Sequence, residues 1–361
     1  MPTKKHLGNF PSFPDGLQTI NLPRISLNSL LSGDEAEAAA LFQASAGLGF
    51  FLLDLRETTV GENLLREAKT AFDTSRTFYA WSTDEKGKFP LLPSNLGYKA
   101  IGRTKIENGK PDCCEIYGVS QDDLLGLSEP RSNPEPFEVN RPVLKSCIKN
   151  MHSVTKTILD HLSKHLDLPP DTLSSMHSPS ISSPSCLRFL HMPPQPPAEA
   201  QTSLVGHTDN GSVTILFNIL GGLQILPPGL DGIDAKNWRW VRPEPGCAVI
   251  NFGDSMVQWT GGVIRSNMHR VVPPPGEQAQ CERFSLAYAL KPPGNASMKR
   301  LKGGTVIPVV NGNEDEVRDC TYDEFHKKKS KGITEGKNLA GTRGGVKGDQ
   351  EVGVNVKEVV A

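Results

Sequence analysis

The second half of the chain most constrains the fold, because its apolar residues occur in many short runs that Gly and Pro separate. Short runs of this kind suit β-strands, whereas a helix needs a longer apolar stripe. Many short strands with turn residues between them are typical of a β-sandwich or barrel, and a double-sheet jelly roll is one such closure. We therefore predict a mainly β core. The predicted strands are residues 186–191, 204–208, 212–217, 223–226, 238–241, 247–252, 268–272 and 283–290.

The first half of the chain predicts helices instead. Residues 34–46 are rich in Ala and carry acidic residues in the first turn, and residues 62–81 have apolar side chains near helical spacing. The longest helix is expected over 140–166, with Asn at its cap and Pro in its first turn. A short apolar run at 49–54 indicates a buried strand, and a last helix is expected over 322–331.

His207, Thr208 and Asp209 form a His-x-Asp sequence, and His269 follows in a later predicted strand. Residues two apart on a strand point to the same side, so a strand through 205–209 would direct the imidazole and the carboxylate into one space. Two imidazoles and one carboxylate on one face of an octahedron leave the opposite face open, as non-haem Fe(II) oxygenases require. The alternative is that each is an ordinary polar residue. Zinc or nickel could also bind the same ligands in place of iron.

Arg283 and Ser285 lie two apart in the last predicted strand, so their side chains should share one face. A guanidinium near a metal can bind the carboxylate of an acid through two parallel hydrogen bonds. The alternative is an ion pair at the end of a strand, beside an unrelated hydroxyl. We favour carboxylate binding, because the pair follows the second His of the candidate metal site.

These residues lie in motifs that follow one another along the chain. The motifs are HTDNGSVTILF at 207–217, GGLQI at 221–225, VINFGD at 249–254, SNMHRV at 266–271 and RFS at 283–285. Their order resembles that of the iron/2-oxoglutarate-dependent dioxygenases related to isopenicillin N synthase, over about residues 20 to 333. The segment CEIYGVSQDDLLG at 114–126 is similar to fungal members that modify small natural products.

The resemblance implies a double-stranded β-helix, or jelly roll, with helices packed on its outside. It also implies a catalytic centre in which His207, Asp209 and His269 bind Fe(II), with O2 and the cosubstrate 2-oxoglutarate as reactants. Arg283 and Ser285 would bind the far carboxylate of 2-oxoglutarate. In such enzymes 2-oxoglutarate is decarboxylated to succinate while a small organic molecule is hydroxylated, desaturated or rearranged. We expect a substrate of secondary metabolism.

The same resemblance implies a substrate pocket formed by the segment near Tyr98, the strand at Arg188, the strand end at Phe217 and the final helix. Arg188 could face this pocket or make a structural ion pair. One departure from the family is the sequence Leu-His-Met-Pro, where many members have Asn-x-Tyr-Pro. Met192 therefore replaces an aromatic hydroxyl near the cosubstrate, and other groups must supply its hydrogen bonds.

We expect one structural unit with five segments along the chain. They are a loose N-terminus at 1–19, a helical and strand region packed on the core at 20–180, the jelly-roll Fe(II)/2-oxoglutarate catalytic core at 181–295, a C-terminal extension and helix at 296–338, and a disordered tail at 339–361.

The composition argues against several classes of partner. Lys and Arg number 39 against 40 Asp and Glu, so the net charge of −1 creates no field that favours nucleic acid or an anionic membrane. Seven cysteines include no C-x-x-C pair and cannot all pair with one another, so a reduced cytoplasmic protein with free thiols is expected. No apolar run is long enough to span a bilayer. We expect a monomer that acts on a small molecule.

Two alternatives to a 2-oxoglutarate-dependent dioxygenase stay open. One is a 2-oxoglutarate-independent Fe(II) oxidase like isopenicillin N synthase, in which Arg283 and Ser285 would hold the carboxylate of the substrate itself. The other is a non-catalytic metabolite-binding protein on the same scaffold. Two further patterns have simple explanations. His161 and His165 share one helical face, which packing explains, and the basic residues at 326–331 indicate a solvated face of the last helix.

Overall fold

The structure is a computed structural model that describes residues 10–104, 106, 109–195, 201–303, 305–309 and 320–334. The strands in these ranges are β1 Arg24–Ser26, β2 Phe50–Asp54, β3 Gly97–Lys99, β4 Glu115–Ser120, β5 Cys186–Met192, β6 Leu204–His207, β7 Val213–Asn218, β8 Leu223–Ile225, β9 Arg239–Trp240, β10 Cys247–Phe252, β11 His269–Val271 and β12 Arg283–Leu290. The α-helices are α1 Leu27–Leu31, α2 Glu35–Gly47, α3 Thr59–Tyr79, α4 Thr83–Gly87, α5 Gln121–Leu125, α6 Glu135–Val139, α7 Arg141–His165, α8 Thr172–Ser175, α9 Asp254–Thr260 and α10 Tyr322–Thr334.

The strands form two sheets. The large sheet has the order β1-β2-β10-β7-β12-β5-β4-β3, and the small sheet has the order β6-β11-β8-β9. Each of the predicted runs in the second half of the chain contains a strand, and β10 and β12 have the predicted bounds. The prediction of a mainly β core is therefore confirmed.

The two faces of the large sheet have different roles. Leu286, Tyr288 and Leu290 of β12 belong to the main hydrophobic core, which the large sheet shares with the helices. Because side chains alternate along a strand, Arg283 and Ser285 point to the opposite face, toward the small sheet. On this inner face β8 of the small sheet packs against β2 and β10 of the large sheet. The candidate functional side chains therefore lie between the two sheets.

Helices cover the outer face of the large sheet, as predicted. The apolar stripe of α7 is fully buried there. It consists of Leu144, Ile148, Met151, Ile158 and Leu162. Burying one such side chain stabilises the fold by roughly 1.5–3 kcal/mol, so this stripe holds α7 firmly in place. The predicted cap of α7 is wrong in one respect, because the Asn140 side chain accepts no hydrogen bond from α7 and its amide instead donates to the carbonyl of Pro136 in the first turn of α6 (2.9 Å).

Residues 10–19 belong to the segment that was expected to be loose, yet they pack on the body of the protein. The Gln278 amide donates to the Pro11 carbonyl (2.9 Å), and the backbone N–H of Trp240 donates to the Gln18 carbonyl (3.0 Å). Phe13 is 9% exposed, and the Cζ of the Arg242 guanidinium lies over its ring, 4.9 Å from the ring centroid of Phe13. The expected tail at 339–361 lies outside the described residues.

The cysteines are free thiols, as the sequence predicted. Burial raises the pKa of Cys114 to about 12, so this thiol stays protonated and unreactive at neutral pH. Across the described ranges, none of the helices has the length and apolar character needed to cross a membrane.

Candidate functional site

The pairing of two short strands brings the predicted metal ligands together. In the antiparallel pair β6 and β11, His207 lies directly opposite His269, and the two ring centroids are 4.3 Å apart. One side-chain ligand atom from each of His207, Asp209 and His269 lies within 4.8 Å of the other two. The predicted strand through 205–209 is wrong at its end, because β6 stops at His207 and Asp209 lies in the following turn. The backbone N–H of Asp254 donates to the Asp209 carbonyl (2.8 Å) and holds this turn.

Two neighbouring side chains orient the Asp209 carboxylate. Its Oδ2 accepts hydrogen bonds from Thr214 Oγ1 (2.7 Å) in β7 and from Asn251 Nδ2 (2.8 Å) in β10. Oδ1 of Asp209 remains directed toward His207, and it lies 3.9 Å from the Nε2 of that imidazole. Burial alone would raise the pKa of Asp209, but the two imidazoles and the two hydrogen bonds hold it well below its ordinary value. The carboxylate is therefore ionised and has one oxygen free for a cation.

Backbone carbonyls orient the two imidazoles. The Nδ1 atoms of His207 and His269 lie 2.8 Å from the Val205 carbonyl and 3.2 Å from the Asn267 carbonyl. Each Nδ1–H is therefore assigned as the donor, which leaves each Nε2 lone pair free. Burial, with a contribution from the His269 charge, lowers the pKa of His207 to about 4. A neutral imidazole binds metal, so two nitrogens and one carboxylate oxygen stand ready as a donor set that suits Fe(II).

Arg283 is a buried cation without a carboxylate partner among the described residues, although it is only 1% exposed. Its Nε donates to the Gly221 carbonyl (2.7 Å), and its Nη1 lies 3.2 Å from Ser285 Oγ. Nη1 also lies 3.8 Å from the sulfur of Met192, the residue that replaces the family tyrosine. Burial lowers the pKa of Arg283 to about 10, so the guanidinium is still charged at neutral pH. A buried charge of this kind needs an anion, and a bound acid would supply one.

The glycine pair at 221 and 222 allows the hydrogen bond between Arg283 and the Gly221 carbonyl. Gly222 has a φ of +117°, and a Cβ on it would lie 2.9 Å from the Arg283 Nε. Any other residue at position 222 would be strained in its backbone and would push the guanidinium away from the Gly221 carbonyl. The position of the buried cation thus explains the second glycine of the GGLQI motif.

Lys329 in α10 contacts the turn that carries Asp209, a role that its position in a basic run does not predict. Its ammonium group donates to the Thr208 carbonyl (3.0 Å), to Thr208 Oγ1 (2.8 Å) and to the Asp209 carbonyl (3.2 Å), and it forms an ion pair with Asp254. Lys329 is 7% exposed, whereas Lys327 and Lys328 are exposed. The interpretation of 326–331 as a solvated face is therefore wrong for Lys329, because Asp254 and the carbonyl groups offset the burial of its charge.

We expect Lys329→Met to lower the free energy of unfolding by roughly 3–5 kcal/mol, because it leaves the Asp254 carboxylate buried without its cation. Iron affinity should fall about tenfold, since the turn beside Asp209 loses its donor. Chemical denaturation and iron titration measure the two effects. Lys328→Met, on the exposed face of the same helix, is the matched control and should change neither. Equal stability of the two variants would show that α10 does not support the metal turn.

Several other residues are placed differently from the sequence expectation. Tyr98 donates through its hydroxyl to Glu115 Oε2 (2.5 Å) and packs edge-on against Phe78, so it lies in the core under the helices and not in the pocket. Phe217 is also fully buried in that core. Its neighbours in β7, Leu216 and Asn218, point to the inner face instead.

The two helical histidines of α7 take structural roles, as the packing explanation predicted. His161 Nε2 lies 3.0 Å from the Leu30 carbonyl, and His165 stacks on Phe42 with their ring centroids 5.5 Å apart. Within the described ranges, the one group of three or more His, Cys, Asp or Glu side chains with metal-binding spacing is the one at His207.

Family models match two segments of the chain. Residues 183–292 match the 2OG-Fe(II) oxygenase superfamily, and residues 22–138 match the N-terminal region described as non-haem dioxygenase in morphine synthesis.

Fungal proteins are similar to most of the chain. A 2-oxoglutarate-dependent dioxygenase from Dothideomycetidae sp. is 32% identical over 308 residues, which cover 85% of this chain and 91% of the relative. A 2-oxoglutarate-dependent dioxygenase from Aspergillus fumigatus is 28% identical over 335 residues, which cover 88% and 87%.

Solved structures share the fold. A full-length Neurospora crassa protein crystallised with α-ketoglutarate has a TM-score of 0.71 at 21% identity, covering 89% of this chain and 99% of that one. A dioxygenase for auxin oxidation from rice has a TM-score of 0.64 at 23% identity, covering 89% and 99%. These likenesses confirm the predicted double-stranded β-helix with flanking helices.

Proposed function

This chain belongs to the 2OG-Fe(II) oxygenase superfamily, and we propose that it holds Fe(II) with His207, Asp209 and His269 and binds 2-oxoglutarate with Arg283 and Ser285. It is an Fe(II)- and 2-oxoglutarate-dependent dioxygenase that uses O2. The observation that carries the proposed site is the combination of a metal-binding donor set with a buried arginine that lacks a carboxylate partner among the described residues. The first would hold Fe(II), and the second would hold a carboxylate of the dicarboxylic cosubstrate.

When bound, Fe(II), 2-oxoglutarate and O2 together supply oxidation of a C–H bond, with succinate and CO2 as the products of the cosubstrate. The protein orients the reactants and excludes side reactions. Asp209 offsets part of the metal charge, and Thr214 and Asn251 hold its carboxylate in one orientation. The buried Arg283 guanidinium would hold the far carboxylate of the cosubstrate, and a charge-assisted hydrogen bond is strong in a site from which bulk water is excluded.

The proposed substrate is a small organic molecule of secondary metabolism, and the reaction is a hydroxylation, desaturation or rearrangement. The fungal relatives, which are named 2-oxoglutarate-dependent dioxygenases, support this class. We also propose that the protein is a cytoplasmic monomer. We propose that it does not bind nucleic acid, since a net charge of −1 creates no field that favours this partner. Residues 181–295 are the proposed catalytic core, residues 20–180 pack on it, and residues 296–338 form the C-terminal extension.

Oxygen uptake by the iron-loaded protein should depend on 2-oxoglutarate, and succinate should form, because these enzymes consume cosubstrate slowly even without an organic substrate. An oxygen electrode and chromatography of succinate measure both quantities. The Asp209→Ala variant with the same added iron controls for oxidation by free metal. Uptake that does not respond to 2-oxoglutarate would favour the oxidase alternative. Binding of 2-oxoglutarate without any succinate would favour the non-catalytic alternative.

A further inference from the structure

Arg188 lies on the inner face of the large sheet, and the structure decides between its two interpretations. It forms no ion pair with the described residues, and its Nε is buried without a hydrogen-bond partner among them. The structural ion pair is therefore excluded within the described part of the chain. A buried donor of this kind is costly unless a ligand accepts from it.

The strand register separates Arg188 from Arg283, the cation proposed to bind the cosubstrate. Arg188 in β5 lies opposite Ala287 of β12 and Gly118 of β4, so small residues flank it on both sides. Arg283 lies opposite Met192, four residues farther along β5, which is roughly 13 Å along the strand. The two cations therefore serve different parts of the space between the sheets.

Lys291 is a second cation near the metal turn. It follows β12 directly, and a Cβ on Gly211 would lie 3.0 Å from its Cγ, so its stem packs against the turn that carries Asp209. Burial lowers the pKa of this ammonium group, while the charge of Arg188 lowers it and the charge of Asp209 raises it. Its ammonium group has neither an ion pair nor a hydrogen bond with the described residues.

Tyr322 adds an uncharged donor at the start of α10. Its side chain is 1% exposed, and its hydroxyl has no hydrogen-bond partner within the described ranges. Its ring packs in the main hydrophobic core and stacks on His326, and it lies about two helical turns before Lys329, which contacts the turn that carries Asp209. Arg188, Lys291 and Tyr322 are thus donors that lack protein acceptors in the described part of the chain, and Lys291 and the helix of Tyr322 both contact the turn that carries Asp209.

Neither of these two cations forms an ion pair with the carboxylates near the metal site. Asp209 faces the metal site, and Asp254 is paired with Lys329. A positive charge in a partly buried space is costly without a partner anion, so a negatively charged ligand would stabilise each of these two cations. A planar carboxylate matches the fork of the arginine and accepts from the other two groups as well.

We propose that Arg188, Lys291 and Tyr322 form a subsite for a carboxylate group of the organic substrate, so that the oxidised molecule is an organic acid. This inference rests on the proposed function, since it concerns the substrate of the same site. It assigns Arg188 and Lys291 to the substrate and Arg283 to the cosubstrate. The C-terminal helix α10 takes part in recognition through Tyr322.

The test is binding of matched acids and amides to the iron-loaded protein under nitrogen, with saturating 2-oxoglutarate so that Arg283 is occupied. The probes are benzoate with benzamide and indole-3-acetate with indole-3-acetamide, and ligand-observed NMR measures their dissociation constants. The wild-type protein should bind each acid about tenfold more tightly than its amide, because the acid alone makes charge-assisted hydrogen bonds. Equal binding of acids and amides, or no binding of either, overturns the proposal.

Variants assign the preference to the subsite. Arg188→Gln and Lys291→Met should each remove most of the preference for acids and leave the dissociation constant of 2-oxoglutarate unchanged. Arg66→Gln, on the exposed face of α3, is the matched control and should keep the preference. Arg188→Gln should also fold normally, because no described side chain depends on it. If Arg188→Gln instead weakens binding of 2-oxoglutarate, Arg188 belongs to the cosubstrate site and the inference fails. If wild-type protein does not bind 2-oxoglutarate, the proposed function fails first.

Discussion

Asp209→Ala should abolish turnover while the protein stays folded. The change removes the only anionic ligand of the candidate metal site and leaves two neutral imidazoles, which hold Fe(II) weakly by themselves. Thr214 and Asn251 lose their acceptor, which costs about 1–3 kcal/mol at most, and water can take the place of a carboxylate whose side chain is 26% exposed. Succinate release, bound iron and the melting temperature measure the three expectations.

Asp73→Ala is the matched control for this variant. Asp73 is an aspartate on the exposed face of α3, where it pairs with Lys69 and Arg76, and its loss should leave turnover and iron content unchanged. Retention of most activity by Asp209→Ala, with iron at unchanged occupancy, would rule out the proposed metal site. A collapse of the fold in that variant would mean that the carboxylate is mainly structural.

Arg283→Gln should raise the 2-oxoglutarate requirement at least about tenfold and leave iron affinity nearly intact. Gln keeps a polar group but loses the charge and the two-pronged fork, so the far carboxylate loses hydrogen bonds worth roughly 1.5–3 kcal/mol each. None of the three proposed metal ligands changes. Anaerobic titration of 2-oxoglutarate into the iron-loaded variant measures the effect, with iron affinity determined separately.

Arg188→Gln serves as the comparison for Arg283→Gln, because it also removes a guanidinium from the large sheet, on the adjacent strand and at a different register position. We expect the two variants to affect different ligands. Arg283→Gln should weaken binding of the cosubstrate, and Arg188→Gln should weaken binding of the organic acid. Unaltered 2-oxoglutarate binding in Arg283→Gln, together with weaker binding of an organic acid, would support the oxidase alternative and refute the role proposed for Arg283.

Much of the site could be predicted from local patterns. The alternation along β12 placed Arg283 and Ser285 on one face, and the structure brings Nη1 of the first within 3.2 Å of the hydroxyl of the second. The bounds of β10 and β12 were predicted because apolar runs bounded by turn residues are a strong local pattern. His207, Asp209 and His269 were singled out by residue type and order, and their ligand atoms do converge.

Other features could not be predicted in this way, since they depend on which face of an element is buried. Alternation shows that a strand has two faces but not which of them meets the helices. The pocket was expected at the segment near Tyr98 and the strand end at Phe217, and the side chains of these two residues lie in the helical core. A Lys within a basic run is usually solvated, and Lys329 is buried because Asp254, from a distant part of the chain, provides the compensating charge.

By itself, the sequence determined the chemical groups of the site, the strand segments and the family, because these depend on residue type and short-range spacing. The tertiary structure alone decided that His269 stands opposite His207, that Thr214 and Asn251 orient Asp209, and that Arg188 has no protein anion among the described residues. The physical reason is that strand pairing, burial and charge compensation are interactions between residues far apart in the chain. Their outcome depends on the whole fold and not on any local pattern.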